Sequence, residues 1–320
     1  MGDDGNVVID QTRSDNYVNG NFSDYTAYIA GAKADDVSFI AIPQVDFEKS
    51  KLISDLTEGE KDCSDLHIFR TNNLYGWLGF VASALTKTDF KPSATWLIAN
   101  GPKKITTYRQ DGSISGDIFS GACNDGSLDN FRYTIQKHGM VTADCIPNSV
   151  DIPTDLSKCK DESALDAKLK QYTQATFTGI SVNKLKQALV NVGPVLVSQI
   201  TPASPPFIQD TILGWDDKNW IYARLDYDQK YYLNTLVISQ DDTFTGSVLV
   251  DSGSYVFDCT KDITLETPES ECPCPSKDDK VALEADPRHV KGGICASGSM
   301  RVLLSVVAAA VVIPVIALFF

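Results

Sequence analysis

Residues 72–85 read Asn-Asn-Leu-Tyr-Gly-Trp-Leu-Gly-Phe-Val-Ala-Ser-Ala-Leu, and beyond the two asparagines no side chain carries an acid, a base, a thiol or an imidazole. A glycine turn leads into large and small apolar residues, the pattern of a buried helix. Such a helix must be enclosed by other elements, which constrains the fold more than any other stretch. With 320 residues and 43% hydrophobic composition, the chain can enclose it in one large core or two moderate lobes.

The net charge of −14 and the pI near 4.6 exclude nucleic acid as a partner, because phosphate binding needs clustered Lys and Arg. They equally exclude charge-driven binding to an anionic membrane surface. Eight cysteines are spread along the chain, and only Cys272 and Cys274 are close, in a Cys-Pro-Cys run that is not zinc-finger spacing. With three histidines, at 67, 138 and 289, no Cys/His metal site and no cofactor are expected. An even cysteine count fits disulfides in an oxidising compartment.

The two ends differ. Residues 1–6 have neither the basic region nor the apolar core of a signal peptide, and Asn6 breaks the myristoylation pattern. Residues 302–320 form an uncharged run of 19 after Arg301. At helical rise this spans roughly 28 Å, close to a hydrocarbon core of about 30 Å. Three readings stand: a transmembrane helix, a GPI-attachment signal with Gly292 and Gly293 before a short spacer, or a tail anchor on a cytosolic body. Cysteine usage and the sequon Asn21-Phe22-Ser23, which makes Asn21 a glycosylation candidate, favour an exoplasmic body at the cell surface or in an endomembrane lumen. On that reading the true N-terminus was lost or trimmed.

Along the chain, residues 1–41 are rich in Asp, Asn, Gly and Ser and read as weakly structured, with one short strand near 37–42. The ordered body starts at 43–47. Residues 112–126 read as a glycine-rich loop, and Leu128, Phe131, Ile135 and His138 then mark a helix closed by Gly139. Residues 151–163 are a polar connection. Val182, Leu185, Leu189 and Val192 mark an amphipathic helix stopping at Gly193-Pro194, with a strand at 195–200 and further strands at 231–239 and 247–250. Helices come first and strands second, so the chain reads as α+β, with a helical lobe over about 42–155 and a sheet or β-barrel-like lobe over about 156–265. Residues 266–299 read as a stalk and 300–320 as the membrane-anchoring segment.

Four segments together resemble the papain-like cysteine proteases. Pro43-Gln44-Val45-Asp46-Phe47 is similar to the start of that family's mature domain. Residues 76–85 resemble its Cys-Gly-Ser-Cys-Trp-Ala-Phe-Ser-Ala entry into the central helix. Cys123-Asn124-Asp125-Gly126 resembles Cys-Asn-Gly-Gly, and Tyr133-Thr134-Ile135 with His138-Gly139-Met140-Val141-Thr142 resembles the family's next helix and turn. The strongest match is Leu185-Lys186-Gln187-Ala188-Leu189 with Val192-Gly193-Pro194-Val195-Leu196-Val197. The resemblance covers about residues 42–258 and implies the two-lobed papain-like fold.

The family's chemistry needs a thiolate, a histidine and an amide that orients it. The resemblance places the nucleophile position on Leu78 or Trp77. It places the base on Thr235, in Leu233-Asn234-Thr235 before an apolar run, and the asparagine motif on Asp251-Ser252-Gly253-Ser254. The oxyanion-hole position falls near Asn72. Ser83 is the nearest hydroxyl, but no histidine is placed beside it. The resemblance therefore implies an inactive homologue, a pseudoprotease, with Asn72, Leu78, Asp125, Gly126, Thr235 and Gly253 lining a cleft that takes a peptide or protein. It further implies a membrane-tethered binding, adhesion or regulatory role; the alternative is a residual or unconventional peptidase. It also implies that Cys123, lacking its family partner, pairs with Cys63, and that Cys145 pairs with Cys159.

Overall fold

The structure is a computed structural model that describes residues 1–2, 4–10, 22–109, 111–202, 209–251, 274–276, 279–290 and 294–295. Two compact units, Met1–Ser254 and Tyr255–Phe320, divide the chain. Helices α1 (Gln44–Phe47), α2 (Glu58–Asp62), α3 (Ser64–Thr71), α4 (Leu74–Thr86), α5 (Ala94–Ala99) and α6 (Phe131–His138) occupy the earlier part of the first unit, and α7 (Val182–Asn191) the later part. Its strands are β1 (Asn6–Asp10), β2 (Phe39–Ile40), β3 (Lys104–Tyr108), β4 (Ile114–Ile118), β5 (Tyr172–Ser181), β6 (Val195–Thr201), β7 (Asp210–Trp215), β8 (Asn219–Leu225), β9 (Tyr231–Val237) and β10 (Thr243–Asp251). The fold mixes α and β.

The large sheet runs β5-β10-β6-β7-β8-β9, antiparallel throughout, with β2 also pairing on β7. A smaller sheet places β3 between a parallel β1 and an antiparallel β4. The apolar run becomes α4, in which Tyr75, Trp77, Leu78, Phe80, Val81 and Ala82 are fully buried. Its two glycines are close-packing positions: a Cβ at Gly76 would lie 2.5 Å from the Tyr231 ring, and one at Gly79 would lie 2.6 Å from Leu52. After α7, Gly193 takes a left-handed φ of 104°, and Pro194 hands the chain to β6.

One buried cluster runs from Phe22 through α4 and α7 to Val250, so the expected boundary near 155 does not separate two cores. The N-terminal segment is more structured than its composition suggests. Residues 6–10 add a strand to the small sheet, and Phe22 is buried edge-on against Phe177. Tertiary pairing supplies what local propensity lacks. Part of the glycine-rich stretch 112–126 is β4, with Gly112 at the hairpin turn. The resemblance-implied pairs Cys63–Cys123 and Cys145–Cys159 are bonded.

In the second unit, part of the stretch read as a stalk is folded. It carries α8 (Lys280–Ala285), a Cys274–Cys295 disulfide and a buried Arg288 bound to Asp286 at 2.8 Å. The disulfide and the ion pair hold this polar segment together. Among the described residues, no helix is long and apolar enough to cross a membrane. The anchor segment 300–320, Asn21, Gly253, Cys259 and Cys272 lie outside the described residues.

Candidate functional site

The first unit gathers a buried polar cluster at the entry of α4. Helix α3 ends at Thr71 with Asn72 as its C-cap, and the chain turns at Asn73, whose φ of 57° is a left-handed conformation that asparagine tolerates. Asn73 is 2% exposed, and its Nδ2 donates to the Gln209 carbonyl at 3.0 Å and reaches Asp210 Oδ1 at 3.5 Å. Asp210 opens β7 and is 1% exposed, because its strand is covered on both faces. Antiparallel pairing of β7 with β8 sets Thr211 opposite Ala223 and so brings Arg224 beside Asp210.

Arg224 binds that carboxylate as a fork. Its Nη2 is 2.5 Å from Oδ2, and its Nε is 3.0 Å from Oδ2 and 3.2 Å from Oδ1. Burial pushes the Asp210 carboxyl up, and the hydrogen bonds and charge of Arg224 oppose that shift. The Asp210 hydrogen bonds in turn raise the guanidinium. The side chain of Arg224 also lies over the Tyr222 ring and is 37% exposed, so the pair is open to solvent from the arginine side only. An amide, a carboxylate and a guanidinium can orient and hydrogen-bond a ligand; the three groups include no thiol, hydroxyl or imidazole.

The residues placed by sequence fall elsewhere. Trp77 and Leu78 are fully buried, and Trp77 Nε1 donates to the Pro194 carbonyl at 3.0 Å. Neither lines a cleft. Helix α4 starts at Leu74, so the residue at its entry is Asn73, several positions before the one the resemblance marks. Thr235 is exposed on β9, the terminal strand of the sheet, opposite Ile221. Asp251 ends β10 opposite Tyr172. Strands β6, β7 and β8 lie between them in the sheet, so Thr235 and Asp251 are not one site. Their separation in sequence is compatible with two strands but does not make the strands neighbours.

Asn72 is exposed at the end of α3. Asp125 and Gly126 build a loop. The Asp125 carboxylate accepts from Ser120 Oγ, the Gly121 and Ala122 amides, and the amide and hydroxyl of Ser127; these bonds overcome partial burial and hold its pKa at about 2. The Gly126 amide donates to Asp65 at 3.0 Å, and the Cys63–Cys123 disulfide ties the loop to the start of α3. Ser83 Oγ accepts from the Phe90 amide at 3.0 Å. His67 is exposed on α3 and His138 is half-buried at the end of α6. Two grooves, of about 330 and 470 Å³, flank α1, and neither is lined by Asn73, Asp210 or Arg224.

The residues of this cluster carry a signal in the sequence that spacing alone does not single out. Ile208-Gln209-Asp210 before Thr211-Ile212-Leu213 makes the same polar-to-apolar step as Leu233-Asn234-Thr235, and it follows the 195–200 strand after the proline-containing stretch 201–207.

No family model matches the chain, and no curated protein matches it. Among solved structures, it is similar to procathepsin B S9 from Trypanosoma congolense, at 13% identity and a TM-score of 0.36, over 77% of this chain and 86% of that one. It is also similar to a structure from a study of antibody cross-reactivity between the mite allergens Blo t 1 and Der p 1, at 11% identity and a TM-score of 0.35, over 70% and 74%. Likeness at this level does not show a family.

Proposed function

We propose that the chain is a papain-like scaffold without proteolytic chemistry, which binds a peptide or protein instead of cleaving it. On this reading Asn73, Asp210 and Arg224 hold the places of nucleophile, base and orienting group. The observation that carries it is the grip of Arg224 on Asp210 beside Asn73 at the entry of the central helix. A base needs a free lone pair near its substrate, and here the carboxylate is neutralised by a guanidinium fork. The six described cysteines are all in disulfides and offer no thiolate. Loss of nucleophile and base lowers turnover in comparable triads by about 10⁶.

The disulfides also support an extracellular or lumenal body, and the 302–320 run supports attachment to a membrane. Two experiments test the binding role and the tether. The immobilised full chain is offered a peptide library, and the role fails if nothing is retained above a blank. Cells are treated with a phosphatidylinositol-specific phospholipase: release marks a GPI anchor, retention until detergent is added marks a spanning helix, and recovery without either overturns the tether.

A further inference from the structure

The outer edge of β4 is open. The strand ends the small sheet, and among the described residues no strand pairs with its far side. Arg109 with Ser113 and Lys103 with Phe119 are hydrogen-bonded pairs of the β3–β4 ladder. Bonded pairs alternate in an antiparallel ladder, so Ile114, Gly116 and Ile118 point their N–H and C=O groups away from β3. Ile114 and Ile118 share a face with Val8 and Tyr108, where Val8 is 67%, Ile114 62% and Ile118 82% exposed. The opposite face carries the buried Val7 and Ile105.

Open edges are commonly blunted by lysine, proline or a bulge, and β4, Ile-Ser-Gly-Asp-Ile, has none of these. Glycine weakens a strand interior, and the protein's own packing does not require one at 116. Its φ is not left-handed, and an added Cβ would meet no atom closer than 3.8 Å. Glycine there suits close approach by another backbone. We propose that β4 is a self-association edge, which takes β4 of a second copy antiparallel about a twofold axis through Gly116. This register sets Gly116 opposite itself and Ile114 opposite Ile118 of the second copy. It forms about six backbone hydrogen bonds and continues the apolar face across the axis. Asp117 falls opposite Ser115. An axis through Asp117 would oppose like charges, and one through Ser115 would carry Ile118 against the Gly112 turn. A strand of 5 residues buries far less than the roughly 1,200 Å² of a stable interface. The net charge of −14 also repels a like chain, so the pairing is weak and strengthens as salt screens that charge. The assignment is independent of whether the chain cleaves or binds peptides.

Two measurements on the full chain test it. Ile114→Cys and Ile118→Cys chains, mixed and mildly oxidised, are expected to cross-link at least about tenfold faster than either variant alone. In the mixture the two α-carbons lie about 5.5 Å apart, within disulfide reach, whereas like positions lie roughly 14 Å apart. In sedimentation equilibrium the parent is expected to dimerise with a dissociation constant on the order of 100 µM, lower at higher salt. Gly116→Lys, which opposes two ammonium groups on an exposed edge, is expected to raise that constant at least about tenfold. Cross-linking as fast in either single variant as in the mixture overturns the proposal. So does a parent that stays monomeric to about 500 µM, whatever else binds the edge, or a dimer that Gly116→Lys leaves unchanged.

Discussion

Arg224 holds both carboxylate oxygens of Asp210, yet the two residues differ sharply in exposure: the Asp210 side chain is 1% accessible and that of Arg224 is 37%. The aspartate cannot be rehydrated if its partner leaves, whereas the arginine can turn to solvent. Removal of the two partners therefore has unequal cost. Arg224→Ala, which strands a buried carboxylate, is expected to lower stability by about 3 kcal/mol, and Asp210→Asn by about 1 kcal/mol. Urea denaturation of both variants checks the order, and equal losses contradict it.

The Asp125 loop should show in the acid limb of stability. Its folded pKa of about 2 lies below the ordinary 3.8, so its contribution is complete above the ordinary value and is lost as pH falls towards 2. Partial exposure screens this to about 1 kcal/mol. Asp125→Asn is expected to be less stable than the parent at pH 7 and to lose less stability between pH 4 and 2. Parallel pH profiles for the two proteins would exclude this role.

The two disulfides of the first unit close chains of different length, with separations of 60 and 14 residues. Loop-closure entropy gives about 4 kcal/mol for the longer and about 3 kcal/mol for the shorter. Replacing Cys63 and Cys123 together by alanine should lower the denaturation midpoint more than replacing Cys145 and Cys159.

Gly76 is where α4 meets the sheet. A methyl group there would stand 2.5 Å from two Tyr231 ring atoms, and that ring is packed edge-on against Phe80. Gly76→Ala is expected to destabilise the protein by about 3 kcal/mol despite its better helix propensity. A neutral or stabilising result in thermal denaturation would mean the ring has room to move.

The sequence announces elements more reliably than neighbours. The uncharged run around Phe80 is the central helix, and the α7–Gly193-Pro194–β6 passage is readable because periodicity and two special residues coincide. Strands β7 and β8 lack such punctuation, although Trp215 and Trp220 sit deep in the core. The site is obscure for the same reason. Thr235 attracts the role of base because an apolar strand comes after it, but sheet order, which sequence spacing does not encode, sets Asp210 against Asn73 and leaves Thr235 on an edge. Asn73 itself reads as the second half of an asparagine pair, and only its left-handed turn gives it a place in the cluster.

The central claim, that Asn73, Asp210 and Arg224 form a non-catalytic centre, is tested most directly by incubating the purified full chain with a diverse peptide library and reading new termini by mass spectrometry. No cleavage above a blank is expected, either for the parent protein or for the Asp210→Asn and Asn73→Ala variants. Cleavage by the parent that disappears in either variant would contradict it.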